Sequence, residues 1–241
     1  MSLEELLAEF RDREKATDNT KANWYNIAVA ALAAASAGHE VVKVYRFATK
    51  DTDLESQKLI QRRIKETIIK TSWLYGGPRA ILSLFPLFKD LREEEIDHFG
   101  ARWDQHLHPL PSATHHAETR GKRFFDNLWS PEAAKENLDF NFKYSPDLYL
   151  LVQTNLSQWA SEDSILSFVE TELVYAAALI CSNAPQQATW HTRGIVRQGG
   201  TKEQAGFVQQ LSLRIADMYD CKTGNITPVD EIEWEDKKSH A

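Results

Sequence analysis

The run Glu172-Leu-Val-Tyr-Ala-Ala-Ala-Leu-Ile-Cys181 is apolar after its first residue, and Asn183-Ala-Pro185 interrupts it before a second stretch that carries His191. An apolar helix, a proline-marked turn and a second helix make an antiparallel pair. That pairing brings together a carboxylate and an imidazole that stand 19 positions apart (191 − 172). A Glu–His pair in an apolar groove is equipment for moving protons.

Helical periodicity extends through the rest of the chain. It predicts helices over residues 2–15, 24–37, 41–49, 54–75 and 79–88, with a short one within 93–103. The segment His106-Leu-His-Pro-Leu-Pro-Ser-Ala-Thr-His-His116 then gathers two prolines and a turn-forming Ser-Ala-Thr, and is expected to be a linker. Further helices are predicted at 117–128, 131–138, 145–159, 164–182, 185–198 and 202–218. No stretch alternates as a strand would, so the expected class is all-α. The tail from 220 is polar and acidic and is expected to form an extended arm.

A faint internal repeat accompanies these helices. At an offset of 147, Ala28-Val-Ala-Ala-Leu32 lies under Tyr175-Ala-Ala-Ala-Leu179, Gly38 under Pro185 and Arg46 under Arg193. After one gap, Gln57-Lys-Leu-Ile-Gln-Arg-Arg-Ile64 resembles Gln209-Gln-Leu-Ser-Leu-Arg-Ile215. A repeat this long points to duplicated domains and not to a solenoid. The expected organisation is a first half over 1–105, a linker over 106–116, a second half over 117–219 and a tail over 220–241. Glu172 falls on Tyr25 and His191 on Val44, so only the second copy carries the acid–base pair.

Composition narrows the partners. The net charge of −7 over 241 residues, with no basic run, argues against nucleic acid. The longest apolar window, residues 27–37, is too short for a bilayer span. The acidic N-terminus reads as neither signal nor transit peptide, and Lys-Ser-His-Ala241 is not a tripeptide of the Ser-Lys-Leu type. Two cysteines, Cys181 and Cys221, make no disulfide framework and no Cys-x-x-Cys. A reducing, cytoplasmic location is expected from these features.

The order Glu172-Leu-Val, Trp190-His191-Thr-Arg-Gly194 and Gly199-Gly200-Thr201-Lys-Glu203 resembles the carboxymuconolactone decarboxylase and alkylhydroperoxidase D superfamily. The first half adds Arg63-Ile-Lys-Glu66-Thr-Ile-Ile-Lys and Gly77-Pro78-Arg79-Ala80-Ile81, similar to the long, duplicated fungal-type members. The resemblance covers roughly residues 20–218. It implies an all-α fold of two pseudo-repeat halves and a homo-oligomer, dimer or trimer. It also implies lyase-like acid–base chemistry on a small organic acid, lactone or carbonyl compound, with no cofactor and no metal. His191 would be the general acid/base, Glu172 would orient it, and Gln187 and Trp190 would contact substrate. The peroxidase branch places cysteines seven and four positions before the His. Those positions here are Ala184 and Gln187, so the Cys-x-x-Cys chemistry is absent.

Each feature also has a plainer reading. Glu172 and His191 would serve equally as a buried bond between two helices. Arg193 points about 200° around its helix from His191 and is expected to pair with Glu203. Arg79, at a helix start, needs a carbonyl or carboxylate partner, and Glu66 is expected to be salt-bridged. His106, His108, His115 and His116 are expected to be a solvated loop and not a metal site. Cys181 is expected to be a buried, inert thiol, and Trp24, Trp73, Trp129, Trp159 and Trp190 to fill core or interface. Two alternative functions remain: an antioxidant protein using a low-pKa Cys181, and a non-catalytic scaffold that binds partners through the acidic arm around Trp234.

Overall fold

The computed structural model describes residues 1–108 and 110–234. Pro109 of the predicted linker and the last seven residues of the predicted tail lie outside the described residues. The described residues form twelve α-helices and no strand. Ser2 starts α1 (Leu3–Glu14) with a reciprocal cap, its hydroxyl accepting from Glu5 N while the Glu5 carboxylate accepts from Ser2 N. Then come α2 (Trp24–Ala34), α3 (Val41–Ala48), α4 (Leu54–Tyr75) and α5 (Gly77–Asp90). The peripheral helices are α6 (Ala101–Leu107), α7 (Ala113–Trp129), α8 (Pro131–Tyr144) and α9 (Pro146–Asn155). The chain ends with α10 (Phe168–Cys181), α11 (Pro185–Arg197) and α12 (Lys202–Met218).

Two helices make the centre. Every residue of α2 is buried, and so is every residue of α10 from Thr171 to Cys181. A helix apolar all round must be covered all round. Here α2 and α10 pack on each other, and both pack on α4 and α12. Alanines fill both contact faces, and small side chains let helix axes approach closely.

Two helix ends that stand 147 positions apart (183 − 36) close in the same way. Ser36 (φ 64°) ends α2 and Asn183 (φ 56°) ends α10, both in the left-handed region. In each case the next amide turns back to the helix: Ala37 N to Leu32 O at 2.9 Å, and Ala184 N to Leu179 O at 3.1 Å. This is the usual way for a helix to satisfy its last carbonyls.

Charge is buried where the layers meet. Arg102 of α6 makes a bidentate bond to Glu66 of α4, at 2.9 and 2.7 Å. Lys70, fully buried one turn further along α4, donates to Ala160 O, Glu162 O and Thr171 Oγ1. Ala160 closes a π-helical turn, Leu156–Ala160, that continues α9. Such turns loosen the regular ladder and free carbonyls for other donors. Here Gln158 O and Trp159 O accept from Arg102. Gly121 of α7 sits against this turn, where a Cβ would stand 2.9 Å from Ser157 N.

Several expected boundaries shift. The predicted helix within 93–103 is a 3-10 turn at Glu93–Glu95 followed by α6. The predicted linker is in part helical, because α6 runs to Leu107 and α7 starts at Ala113. Residues 220–234 of the predicted arm are anchored at several points while much of the segment stays exposed. Gln209 Nε2 donates to Thr227 O at 2.8 Å, Val229 N donates to Gln209 Oε1 at 3.2 Å, and Ile232 is buried. No helix of the described residues is long and apolar enough to cross a membrane.

Candidate functional site

Ser167 caps α10 and sets Glu172 just past the first turn of that helix, facing α11. The Asn183 turn reverses the chain, Pro185 starts α11, and His191 arrives opposite Glu172. His191 Nδ1 and Glu172 Oε2 are 2.7 Å apart. The carboxylate is fully buried, while 13% of the imidazole side chain remains exposed. An ionised carboxylate only accepts, so opposite an ionised Glu172 it is Nδ1 that would donate, leaving Nε2 free to accept. Glu172 Oε1 is buried with no hydrogen-bond partner. An unsatisfied buried oxygen is costly.

Gly194 makes this contact possible. A Cβ there would lie 2.5 Å from Glu172 Oε2 and 2.7 Å from Leu128 Cδ1. In the sequence Gly194 closes the run that carries the family resemblance, and it is a glycine inside a helix, which costs about 1 kcal/mol against Ala and asks for a packing reason.

Aromatic residues complete the surroundings. The Tyr175 ring, one turn past Glu172, meets the His191 ring edge-on at 5.3 Å. Trp73 Nε1 of α4 donates to the Tyr175 hydroxyl at 3.1 Å. Burial pushes the Tyr175 hydroxyl above its usual range, so it keeps its proton. Trp73 was expected only to fill core or interface and Tyr175 only as part of the repeat, because an aromatic on a core helix carries no chemical signal of its own.

The other expected site residues are placed differently. Gln187 is exposed on α11, one turn before His191. Trp190 packs edge-on against Trp129 of α7 at 4.9 Å. A cavity of about 820 Å³ lies elsewhere, between α7, α8 and α9, with Phe125, Leu138, Tyr149 and Gln153 in its wall. Neither Glu172 nor His191 lines it.

Arg193 has its Nε buried without a partner, and the expected pair with Glu203 is not formed among the described residues. Arg79 has the carbonyl it required, donating to Ala34 O at 2.7 Å. Arg63 joins α4 to α10 through Glu170 at 2.8 Å, and its Nε donates to the Tyr25 hydroxyl, also at 2.8 Å. Tyr25 and Val44, which the sequence offset of 147 sets under Glu172 and His191, are both buried. Among the described residues, no three His, Cys, Asp or Glu side chains converge as a metal would need. Cys181 is pushed well above the ordinary thiol range by a hydrogen bond with Cys221 and by burial, which removes it as a low-pKa nucleophile.

Two curated yeast proteins resemble the chain. Peroxisomal protein 2 of Schizosaccharomyces pombe is 26% identical over 161 residues, which are 65% of this chain and 70% of that protein. Peroxisomal protein 2 of Saccharomyces cerevisiae is 27% identical over 179 residues, 66% of this chain and 62% of that protein. The chain thus spans less than two thirds of the latter's length. No known family description matches the chain, and no solved structure does. The names of the two relatives overturn the cytoplasmic expectation, which rested on cysteine usage and terminal composition alone.

Proposed function

We propose that the chain is a member of the carboxymuconolactone decarboxylase-like superfamily and acts in the peroxisome as a cofactor-free acid–base catalyst. Its substrate class is a small organic acid, lactone or related carbonyl compound. The observation that carries this reading is the 2.7 Å bond between His191 Nδ1 and the buried Glu172, with Gly194 cleared to admit it. Glu172 fixes the imidazole's tautomer and balances the charge that appears when Nε2 takes a proton. Tyr175 backs the ring and holds its position. The location draws on the names of the two yeast relatives.

The chemistry is tested without knowing the physiological substrate. A panel of lactones and keto acids is incubated with protein in heavy water, and deuterium entry beside the carbonyl is followed by NMR. The folded wild type is expected to accelerate exchange on at least one member. His191→Ala is expected to lose about 10²–10⁴-fold of that acceleration with its helical circular dichroism unchanged. Equal rates in wild type and His191→Ala would sink the assignment.

A second reading, a partner-binding or self-associating scaffold, is favoured by the apolar surface of the α8–α9 hairpin. Phe140, Phe142, Tyr144, Leu148, Leu150 and Leu151 are all exposed there. Exposed clusters of this kind mark interaction sites, and a dimer or trimer in light scattering fits both readings.

A further inference from the structure

The two cysteines are 40 residues apart in the chain and adjacent in the fold. Cys181 is the last residue of α10 and is buried. Cys221 follows α12, where Asp220 adopts the left-handed conformation (φ 50°) and Cys221 N returns to Ala216 O at 2.8 Å. That turn aims the Cys221 thiol at α10. It donates to Cys181 O at 2.9 Å, while the Cys181 thiol donates to Ser212 O at 3.5 Å. Both are free thiols, and Cys221 is half-buried.

We propose that Cys181 and Cys221 are a redox pair that closes an intramolecular disulfide and latches residues 221–234 onto the end of α10. The two thiols have unequal roles. Cys221 reaches solvent, and the adjacent Cys181 side chain, aided by the Arg79 guanidinium, brings it down to about 7 against the opposing effect of burial. A thiol poised near ambient pH is the better attacker. Cys181 keeps its proton and resolves the intermediate.

With a low-molecular-weight disulfide as oxidant, the Cys221 thiolate attacks one of its sulfurs and expels one thiolate. Cys181 then loses its proton to solvent, attacks the Cys221 sulfur of the mixed disulfide and expels the second thiolate. Two electrons pass from the protein thiols to the small disulfide, which leaves as two reduced molecules.

The latched segment runs along the helix that carries His191. Gly224 sits against the α10–α11 turn, where a Cβ would stand 3.0 Å from both Asn183 Oδ1 and Pro185 Cγ. Thr227 reaches Thr189, two residues before His191 on α11, with the hydroxyls 3.4 Å apart. A closed disulfide therefore fastens the strap beside the helix that carries the imidazole.

The test uses the full chain in buffers of graded reduced and oxidised glutathione. Samples are quenched in acid, alkylated and mapped as peptides, and hydrogen exchange of the two end states is compared. The expected result is a single oxidation step that protects both cysteines together, yields the linked Cys181–Cys221 peptide and slows exchange in 221–234 several-fold. Cys221→Ser is expected to yield no linked peptide and no mixed disulfide at Cys181. Full alkylation of both thiols at the most oxidising ratio would overturn the proposal, as would a glutathione adduct on Cys221 that never resolves. A linked peptide with unchanged exchange in 221–234 would overturn the latch. The wild-type arms decide the matter even if a variant does not fold.

Discussion

Gly194→Ala sets two opposing effects on one atom. In a helix interior, Ala is favoured over Gly by about 1 kcal/mol. The added methyl, however, has no room, because its carbon would stand 2.5 Å from Glu172 Oε2, 2.8 Å from Glu172 Cδ and 2.7 Å from Leu128 Cδ1. Glu172 is fully buried, and shifting its carboxylate disturbs the 2.7 Å bond to His191. Overpacking costs about 1–3 kcal/mol, and weakening a hydrogen bond to a charged group costs about 1.5–3 kcal/mol. The net expectation is destabilisation by about 1.5–5 kcal/mol once the helix gain is subtracted. At about 2–4 °C per kcal/mol for a chain of this size, the thermal midpoint falls by about 3–20 °C. Gly206→Ala in α12 is the internal control, since nothing lies within 4 Å of its Cβ position. That variant is expected to gain about 1 kcal/mol and a few degrees. Both are read by circular dichroism melts under one buffer. A Gly194→Ala midpoint at or above wild type, with Gly206→Ala raised as expected, would refute the close approach of α11 to Glu172.

Two further outcomes follow from buried charge. Arg102→Ala leaves the buried Glu66 carboxylate with only Lys70 at 4.0 Å, and urea denaturation is expected to register a loss of about 3–5 kcal/mol, part of it recovered by adding Glu66→Gln. The Arg46 guanidinium, 2.7 Å from Glu95, holds that carboxyl down at about 2 against an ordinary 4.5. A carboxyl lowered in the fold stabilises above its unfolded value, and that contribution is lost as pH falls from about 4.5 toward 2. Urea unfolding across this window is expected to lose up to about 1.4 kcal/mol per pH unit from this group, and Glu95→Gln should flatten that part of the slope.

Legibility in the sequence followed the range of the forces involved. The ends of α4 and α12 were readable because Asp53 and Thr201 cap them and Gly76 stops α4. The Glu172–His191 contact was readable because both side chains sit on one hairpin. The π-helical turn at Leu156–Ala160 was not, since a single five-residue turn is too short to display a period of its own. The start of α7 was missed because its helicity before residue 117 runs through His115 and His116, which offered no apolar period. The meeting of Cys181 with Cys221 was hidden by the two helices between them. Tyr175 and Trp73 became part of the site only once α4 was laid against α10.

The mutual burial of α2 and α10 bears on how a ribosome delivers this chain. α2 is complete at Ala34, yet its central partner starts only at Phe168, 134 positions later (168 − 34). At about 5–20 residues per second, the nascent chain carries an α2 without that cover for roughly 7–27 s. α4 shields one flank within that time, but the flanks owed to α10 and α12 stay open. An alanine- and leucine-rich helix held open this long is a natural client for a chaperone, and folding is completed only after the C-terminal helices emerge.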